Sequence, residues 1–379
     1  MHFSDIIGQK HITNHLETSA RNGRIPHAQL FVGKNGYGTL ACAIAYAQFL
    51  LSEFSDNPDV SDIKAEKLQH PDLHFAFPVT TSDSVKKHPV SDLFLQEWRQ
   101  FIKEQPYGNL FRWLQFVGVE NKQGLIGVDE ALEIVKKLQL KSYEGGFKVM
   151  IIWMAEKMNI AAANKLLKLI EEPPQKTVFI LVTENEEQII NTIKSRCQAL
   201  QFPALSEEDI TKGLMMREAV SENVAAKIAH QAEGDYNRAI HLLHEDANDL
   251  VFEQWFIAWI RTAFKAKGNA TVVQQLVSWA EIIAGKGRET QKQFLHYCLQ
   301  FFRQSLLLNY QNPDLVFLET KTPKFELKKF APFVHANNIL DIQKELEEAL
   351  YHIERNANAK IVFTDLSMKL TRFLHRKEE

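Results

Sequence analysis

The sequence is poor in cysteine, with three such residues in 379. Cys42, Cys197 and Cys298 are far apart, which excludes both a disulfide framework and the paired spacing of a zinc site. We therefore expect no zinc and a reducing, cytoplasmic compartment. The longest uncharged apolar run, Ala41–Leu51, is too short to span a bilayer, and the first residues do not form a signal-peptide pattern. These absences predict a protein without a membrane partner.

An excess of positive charge is also missing. The sequence holds 44 Lys and Arg residues against 47 Asp and Glu residues, which leaves a formal net charge of −3. A protein that wraps nucleic acid alone is normally basic, so any contact with DNA is expected to be local or shared with partner chains. The composition, 45% hydrophobic and 24% charged, is typical of a soluble globular protein. The length predicts two or three domains.

Short apolar runs alternate with helical patterns through the first two hundred residues. This alternation predicts a parallel sheet with helices on both faces, because the strands of such a sheet are buried on both sides and are apolar throughout. We expect this α/β domain over 1–204, with an insertion at about 80–124 whose aromatic residues form a small packed subdomain. The predicted strands are Gln29–Val32, Leu73–Phe77, Val149–Trp153, Thr177–Val182 and Ala199–Phe202.

After Pro203 the strand signals fade and helical patterns continue to the end of the chain. A small helical lid is expected over 205–247. An all-helical domain, rich in Trp and Phe, is expected over 248–379.

A glycine-rich loop follows the first predicted strand and opens a helix, which is the context of a phosphate-binding P-loop. Gly33, Gly36 and Gly38 fit a tight turn whose amides point at an anion. The motif then requires Lys and a Ser or Thr, but Thr39 and Leu40 stand in those places. The missing charge pair is worth roughly 4 kcal/mol at an effective dielectric of 20, and Mg²⁺ loses a ligand. The loop is predicted not to drive hydrolysis, and taken alone it equally fits a turn that never binds nucleotide.

The acidic element of a P-loop ATPase is missing as well. Such an enzyme needs carboxylates at the end of the third strand, to hold Mg²⁺ and polarise water. Trp153 and Met154 occupy those places, and Glu156, two residues further on, is interpreted as a solvated charge. Two independent losses predict a pseudo-ATPase, which is not an enzyme by itself.

One arginine remains where it could serve a neighbouring subunit. Arg196 stands with Ser195 and Cys197 between a predicted helix, Glu186–Lys194, and the last predicted strand. An arginine finger supplied in trans stabilises charge on a transferring phosphoryl group, and its rigid fork suits phosphate oxygens. The alternative is a surface ion pair, with Cys197 as a small buried hydrophobe.

Two further residues fall where a working enzyme would read its nucleotide. Arg238 lies in the expected lid, where an arginine would sense the γ-phosphate, but with a dead site a structural ion pair is favoured. Thr183, at the end of the fourth predicted strand, occupies the place of a polar sensor and is predicted to be vestigial.

Several segments together resemble the clamp-loader subunits of bacterial DNA polymerase III, which are AAA+ proteins. The similarity is strong over about 1–78 and 126–240, and the degenerate P-loop resembles the delta-prime type rather than the ATP-hydrolysing gamma/tau type. The segments that carry it are Ile7-Gly8-Gln9, Pro26-His27-Ala28, His70-Pro71-Asp72, Glu156-Lys157-Met158-Asn159, Ala162-Ala163-Asn164-Lys165-Leu166-Leu167-Lys168, Glu171-Glu172-Pro173-Pro174, Ser195-Arg196-Cys197 and Arg355-Asn356-Ala357-Asn358-Ala359-Lys360.

The resemblance implies a subunit of a holoenzyme whose last domain joins a collar. It implies motor (gamma/tau) and delta subunits as partners, and contact with the sliding clamp and primed DNA through the complex. Arg196 would enter the ATP site of an adjacent motor subunit, so that ATP is bound only there. The family usually carries a four-cysteine zinc module before His70 and a shorter segment at 80–124, and this chain departs from both. Packing is the favoured role of the insertion, and a contact surface is the alternative.

Two other functions stay open. One is an active AAA+ ATPase of the gamma/tau type, which Thr39 opposes, and the other is an AAA+-like adaptor outside replication. Lys165 and Lys168 are candidates for contact with the template backbone, although a solvated helix face is favoured for these two charges.

Overall fold

The computed structural model describes residues 1–144, 146–244, 247–312, 316, 318, 320–323 and 325–377. The chain divides into two compact units. The first comprises Met1–Val119 and Gly124–His244, and the second comprises Glu120–Gln123 and Glu245–Glu379. The boundary between the predicted lid and the predicted α/β domain lies inside the first unit and stays a prediction.

The first unit is built on a five-stranded sheet with the order β2-β3-β4-β1-β5, in which every neighbouring pair is parallel. Its strands are β1 (Ala28–Val32), β2 (Leu73–Ala76), β3 (Lys148–Trp153), β4 (Thr177–Thr183) and β5 (Gln198–Gln201). Every residue of β1, β3 and β4 is buried, as expected of strands covered on both sides. The predicted parallel α/β fold is confirmed.

Most helices of this unit cover the two faces of the sheet, whereas the last three form a separate hydrophobic core. The helices are α1 (Lys10–Arg21), α2 (Thr39–Glu53), α3 (Pro58–Glu66), α4 (Leu95–Glu104), α5 (Leu110–Phe116), α6 (Val128–Gln139), α7 (Ile160–Glu171), α8 (Asn191–Lys194), α9 (Glu207–Glu218), α10 (Glu222–Ala232) and α11 (Tyr236–His244). Successive residues of a strand point to opposite faces, so that Ile151 joins one hydrophobic core with α1 and α2 while Ile152 joins another with α6 and α7.

One predicted helix, Glu186–Lys194, is wrong as a continuous element. The structure has a 3₁₀ turn at Glu186–Gln188 and the separate short helix α8. Ile189 between them is buried and extended, with φ −78° and ψ 132°. Burial of this side chain beneath the sheet therefore overrides the local helical pattern.

The insertion is packed, as predicted, but it shares the core of the sheet instead of forming a subdomain of its own. The indole of Trp98 on α4 is fully buried and stacks on Phe77 just beyond β2, with ring centroids 4.1 Å apart. It also lies 5.1 Å from the ring of Trp153 on β3. Trp113 on α5 donates its indole N–H to Pro78 O at 2.8 Å. The aromatic residues thus extend the core on one face of the sheet.

The described residues of the second unit form helices around an aromatic core, and the predicted all-helical C-terminal region is confirmed. Trp259 and Trp279 stack with ring centroids 4.9 Å apart, and Trp259 donates to Ser367 Oγ at 2.8 Å. Its helices are α12 (Ala247–Lys265), α13 (Ala270–Ala284), α14 (Arg288–Asn309), α15 (Leu327–Phe330), α16 (Ala336–Glu354) and α17 (Ala359–Phe373).

In the part of the chain that the structure describes, none of the helices combines the length and apolar character needed to cross a bilayer.

We predict that Trp98→Ala destabilises the first unit by about 3–5 kcal/mol, because the substitution removes a large buried side chain and leaves a cavity. Chemical denaturation followed by circular dichroism measures the change. The control is Leu93→Ala, in the same insertion with 54% of the residue exposed, for which about 0.5 kcal/mol or less is expected. Equal, small effects of the two substitutions would contradict a shared core.

Candidate functional site

The predicted P-loop joins β1 to α2 at the carboxyl end of the sheet. Gly33 N donates to Thr183 O at 3.1 Å, which ties the start of the loop to the end of β4. Gly36 and Gly38 have φ of 73° and 85°, in the left-handed region that favours glycine. Gly38 is the N-cap of α2, whose first residue is Thr39. The loop therefore has the turn and helix N terminus that the sequence predicted.

Gln9, from the Ile7-Gly8-Gln9 segment, forms a hydrogen bond with the backbone of this loop. Its side-chain amide donates to Tyr37 O at 3.0 Å and to Pro203 O at 2.7 Å. One buried carboxamide thus links the P-loop to the segment that leads into the lid helix α9.

A small pocket lies beside the loop, with a cavity volume of about 20 Å³. A cavity of that size holds about one water molecule. The pocket brings together most of the residues predicted for a degenerate nucleotide site. Its lining comprises Lys34, Asn35, Gly36, Gly38, Thr39 and Leu40 of the loop and helix, Pro106, Tyr107 and Gly108 of the insertion, Trp153 and Met154 at the end of β3 and just beyond it, and Val182, Thr183 and Glu184 of β4 and its exit.

Apolar side chains occupy the positions at which the P-loop motif and the acidic motif of an ATPase place Mg²⁺ ligands. Leu40 is 4% exposed, Trp153 is 3% exposed and Met154 is 5% exposed. Trp153 is part of the aromatic core around Trp98. These side chains offer no oxygen to a hard cation, which prefers carboxylate, carbonyl and hydroxyl ligands.

A carboxylate that sequence reasoning missed lies against the loop. Asp235, the residue before α11, accepts a hydrogen bond from Arg238 N at 2.9 Å and thereby caps that helix. A methyl group placed on Gly36 would lie 1.7 Å from Asp235 Oδ1, so the carboxylate fills the space above the glycine. Tyr236 N also donates to Gly36 O at 3.2 Å. Burial raises the pKa of Asp235 to about 6, so at neutral pH it presents negative charge to the loop.

Glu156 is not the solvated charge expected from the sequence. Its Oε1 accepts from Glu184 N at 3.2 Å, and its Oε2 is buried without a hydrogen-bond partner among the described residues. Burial raises the pKa of this carboxyl. The turn after β3 places Glu156 in a buried position beside the end of β4. The sequence around Glu156 does not indicate this burial.

The two predicted nucleotide sensors have local partners. Thr183 lines the pocket, and its hydroxyl donates to Asn185 O and accepts from Asn185 N, both at 3.2 Å. Arg238 does not line the pocket, and its Nη1 lies 3.2 Å from Glu233 Oε2. This is the ion pair that the sequence favoured for Arg238.

Arg196 lies between α8 and β5, away from the pocket lining. Its Nη1 donates to Thr192 O at 2.9 Å, and its Nη2 lies 3.1 Å from Glu171 Oε1 at the end of α7. About a third of its side chain is exposed, and its Nε is buried without an acceptor among the described residues. The contact with Glu171 joins two of the segments that carried the resemblance, Glu171-Glu172-Pro173-Pro174 and Ser195-Arg196-Cys197.

The residues that flank Arg196 have structural contacts. Ser195 Oγ donates to Thr192 O at 3.3 Å. Cys197 is partly buried against the core of α6 and α7, and burial raises the pKa of its thiol to about 11. A neutral thiol is a poor nucleophile and a poor metal ligand. Among the described residues, no three His, Cys, Asp or Glu side chains are grouped as a metal ion would require.

The parallel sheet, the P-loop between β1 and α2, and the helical region that presses on this loop define the class of the first unit, a module of the AAA+ type. The family model described as "DNA polymerase III, delta subunit" matches residues 8–206, more than half of the chain. The chain belongs to this family.

Curated relatives include two kinds of subunit. DNA polymerase III subunit delta' of Bacillus subtilis is 30% identical over 242 residues, which are 63% of this chain and 60% of the relative. Subunit gamma of Buchnera aphidicola is 28% identical over 252 residues, 65% of this chain and 59% of the relative. The match thus spans about three fifths of these relatives. A solved gamma-subunit-related protein of Thermotoga maritima is 16% identical with a TM-score of 0.39, over 95% of this chain and 99% of that one.

We predict that the wild type loses stability as the pH rises from about 4 to about 6, and that Asp235→Asn abolishes this loss. The pKa of this carboxyl is raised from 3.8 to about 6, so the folded chain binds the proton more tightly than the unfolded chain, and stability falls as the pH rises through this window. The linkage amounts to at most about 3 kcal/mol. Asparagine can still cap α11.

Urea denaturation of the wild type and the variant at several pH values tests this prediction. The wild type should lose stability relative to Asp235→Asn between pH 4 and pH 6. The fully exposed Asp83 provides the control, and Asp83→Asn should leave the pH dependence of the wild type unchanged. If the free energy of unfolding of the wild type and of Asp235→Asn depends on pH in the same way, the pKa of Asp235 is not raised in the folded chain.

Proposed function

We propose that this chain is a non-hydrolysing, delta-prime-type subunit of a DNA polymerase III clamp loader. In this proposal it helps to load the sliding clamp on primed DNA, together with motor (gamma/tau) and delta subunits, and it supplies Arg196 to the ATP site of a neighbouring motor subunit. The observation that carries the proposal is the small pocket beside the P-loop, with a volume of about 20 Å³.

The charges and the volume of the pocket both oppose a nucleoside triphosphate. Thr39 stands at the lysine position, and Asp235 directs a carboxylate at Gly36 where a phosphate would need a cation. Leu40, Trp153 and Met154 supply no ligand for Mg²⁺. The residues present therefore do not fit ATP with Mg²⁺, and no step of hydrolysis is assigned to this chain.

The arrangement around Arg196 supports a role in trans. One third of the Arg196 side chain is exposed, and about half of the side chain of its ion-pair partner Glu171 is exposed. Ion pairs at the surface contribute about 0–1 kcal/mol, so a phosphate of higher charge can replace Glu171. An arginine fork makes two parallel hydrogen bonds with such a group.

An active motor of the gamma/tau type is the second candidate, because relatives named gamma match this chain as closely as those named delta'. The substitutions at Thr39, Trp153 and Met154 oppose it, since a motor needs the lysine and the carboxylates in these places. Nucleotide binding by the isolated chain separates the two candidates.

We expect the purified chain to show no saturable binding of a fluorescent ATP analogue at micromolar concentrations, and no effect of Mg²⁺. The reason is the missing cation and the small cavity beside the loop. Titration of the wild type measures this, and Lys34→Ala is the matched variant, because Lys34 is the exposed lysine of the same loop. Magnesium-dependent, micromolar binding that Lys34→Ala abolishes would favour the motor.

We expect Arg196→Ala to lower DNA-stimulated ATP turnover by a reconstituted clamp loader. At the one motor site that Arg196 serves, the loss should be on the order of 10³-fold, the scale of an arginine finger. The control is Arg21→Ala, since Arg21 also forms surface ion pairs, with Glu17 and Glu53. Unchanged turnover in a fully assembled complex with Arg196→Ala would exclude the proposed finger.

A further inference from the structure

The insertion contributes a turn to the lining of the pocket. The packing of helices α4 and α5 does not by itself explain this position of the turn. The turn runs from Gln105 to Gly108 between α4 and α5, and Gly108 N donates to Gln105 O at 2.9 Å. Pro106 in this turn favours a β-turn, because its ring fixes φ near the required value. Tyr107 follows at the tip and is only 6% exposed. A tyrosine at the tip of a turn is thus buried, and it lines the pocket beside the P-loop.

Tyr107 contacts Gly38 in the pocket lining and three residues outside that lining, which are Ile7, Arg217 and Tyr236. Its hydroxyl accepts a hydrogen bond from Ile7 N at 2.8 Å. Its ring lies edge-to-face with that of Tyr236 on α11, with centroids 5.0 Å apart. A methyl group on Gly38 would lie 3.0 Å from the ring atom Cε1. The guanidinium of Arg217 on α9 lies 5.4 Å from the ring centroid.

The neighbours of Tyr107 suit any planar ring that carries a hydrogen-bond acceptor. The backbone N–H of Ile7 is a donor, Tyr236 offers an aromatic partner, and Arg217 offers a cation for the face of the ring. Burial raises the pKa of Tyr107 to about 12, so the group that fills this place at neutral pH is a neutral phenol. A nucleobase is also a neutral planar ring with acceptor atoms, and the adjacent P-loop is the kind of loop that holds phosphates.

We propose that Tyr107 determines the specificity of this pocket, because its ring occupies the place of a nucleobase and thereby excludes nucleotides from the chain. The ligand class that the site would take without this side chain is a purine nucleoside or its diphosphate. The inference rests on the proposed function in one respect, since it explains how a P-loop chain is kept free of nucleotide. It also assigns a role to the insertion beyond packing.

The test compares Tyr107→Ala with Tyr107→Phe. Adenosine and ADP are the probes, without Mg²⁺, and isothermal titration calorimetry measures their dissociation constants. Tyr107→Ala empties the place of the ring, whereas Tyr107→Phe keeps the ring and loses only the hydroxyl. We expect adenosine and ADP to bind Tyr107→Ala at least tenfold more tightly than the wild type or Tyr107→Phe.

A second measurement shows whether the cavity has formed. 4-Methylphenol has the structure of the tyrosine side chain, and cavities left by large side chains can bind small rings. It should raise the Tm of Tyr107→Ala and leave the Tm of the wild type unchanged. If 4-methylphenol stabilises Tyr107→Ala but adenosine and ADP bind it no more tightly than the wild type, the assignment of Tyr107 is wrong. The same conclusion follows if 4-methylphenol has no effect on a folded Tyr107→Ala.

Tyr107→Leu covers the case in which Tyr107→Ala does not fold. Leucine removes the planar ring and leaves a smaller side chain, whereas phenylalanine keeps the ring, and both free the donor of Ile7. Adenosine should therefore bind Tyr107→Leu more tightly than Tyr107→Phe. Equal binding to the leucine and phenylalanine variants would overturn the inference. Failure of the proposed function gives a different result, because the wild type itself would then bind ATP with Mg²⁺ at micromolar concentrations.

Discussion

The contact between the start of α11 and the P-loop is the constraint on which the site depends. Tyr236 N donates to Gly36 O, and the carboxylate of Asp235 fills the space above the same glycine. The contact requires a residue without a side chain at Gly36, since any Cβ would collide with Asp235. It brings α11 and the N terminus of α2 together at the carboxyl end of the sheet. The turn of the insertion lines the small pocket beside the same loop.

The P-loop region and Arg196 have different surroundings. Gln9, Asp235 and Tyr107 contact the P-loop inside the first unit, where the buried Gln9 Oε1 and Tyr236 hydroxyl lack hydrogen-bond partners among the described residues. Arg196 has one third of its side chain exposed and a buried Nε that lacks an acceptor among the described residues. Arg196 is thus separate from the pocket beside the P-loop, whose lining does not include it.

The sequence predicted most of the first unit, because buried strands and P-loop glycines have local signatures. All five strands lie within one or two residues of the predicted bounds. The misses have one physical cause, which is that they depend on contacts distant in sequence. The break at Ile189 follows from burial beneath the sheet, and the burial of Glu156 follows from the turn after β3. Asp235 and Tyr107 reach the P-loop from about 200 and 70 residues away along the chain, and no local pattern marks such contacts.

The glycines of the P-loop have a structural role that requires no phosphate. Gly38 has a left-handed φ at the start of α2 and packs against the ring of Tyr107, and Gly36 has a left-handed φ beneath Asp235. Larger residues would strain the backbone and collide with these two side chains. The turn of the P-loop therefore depends on glycine at these two positions through contacts inside the first unit.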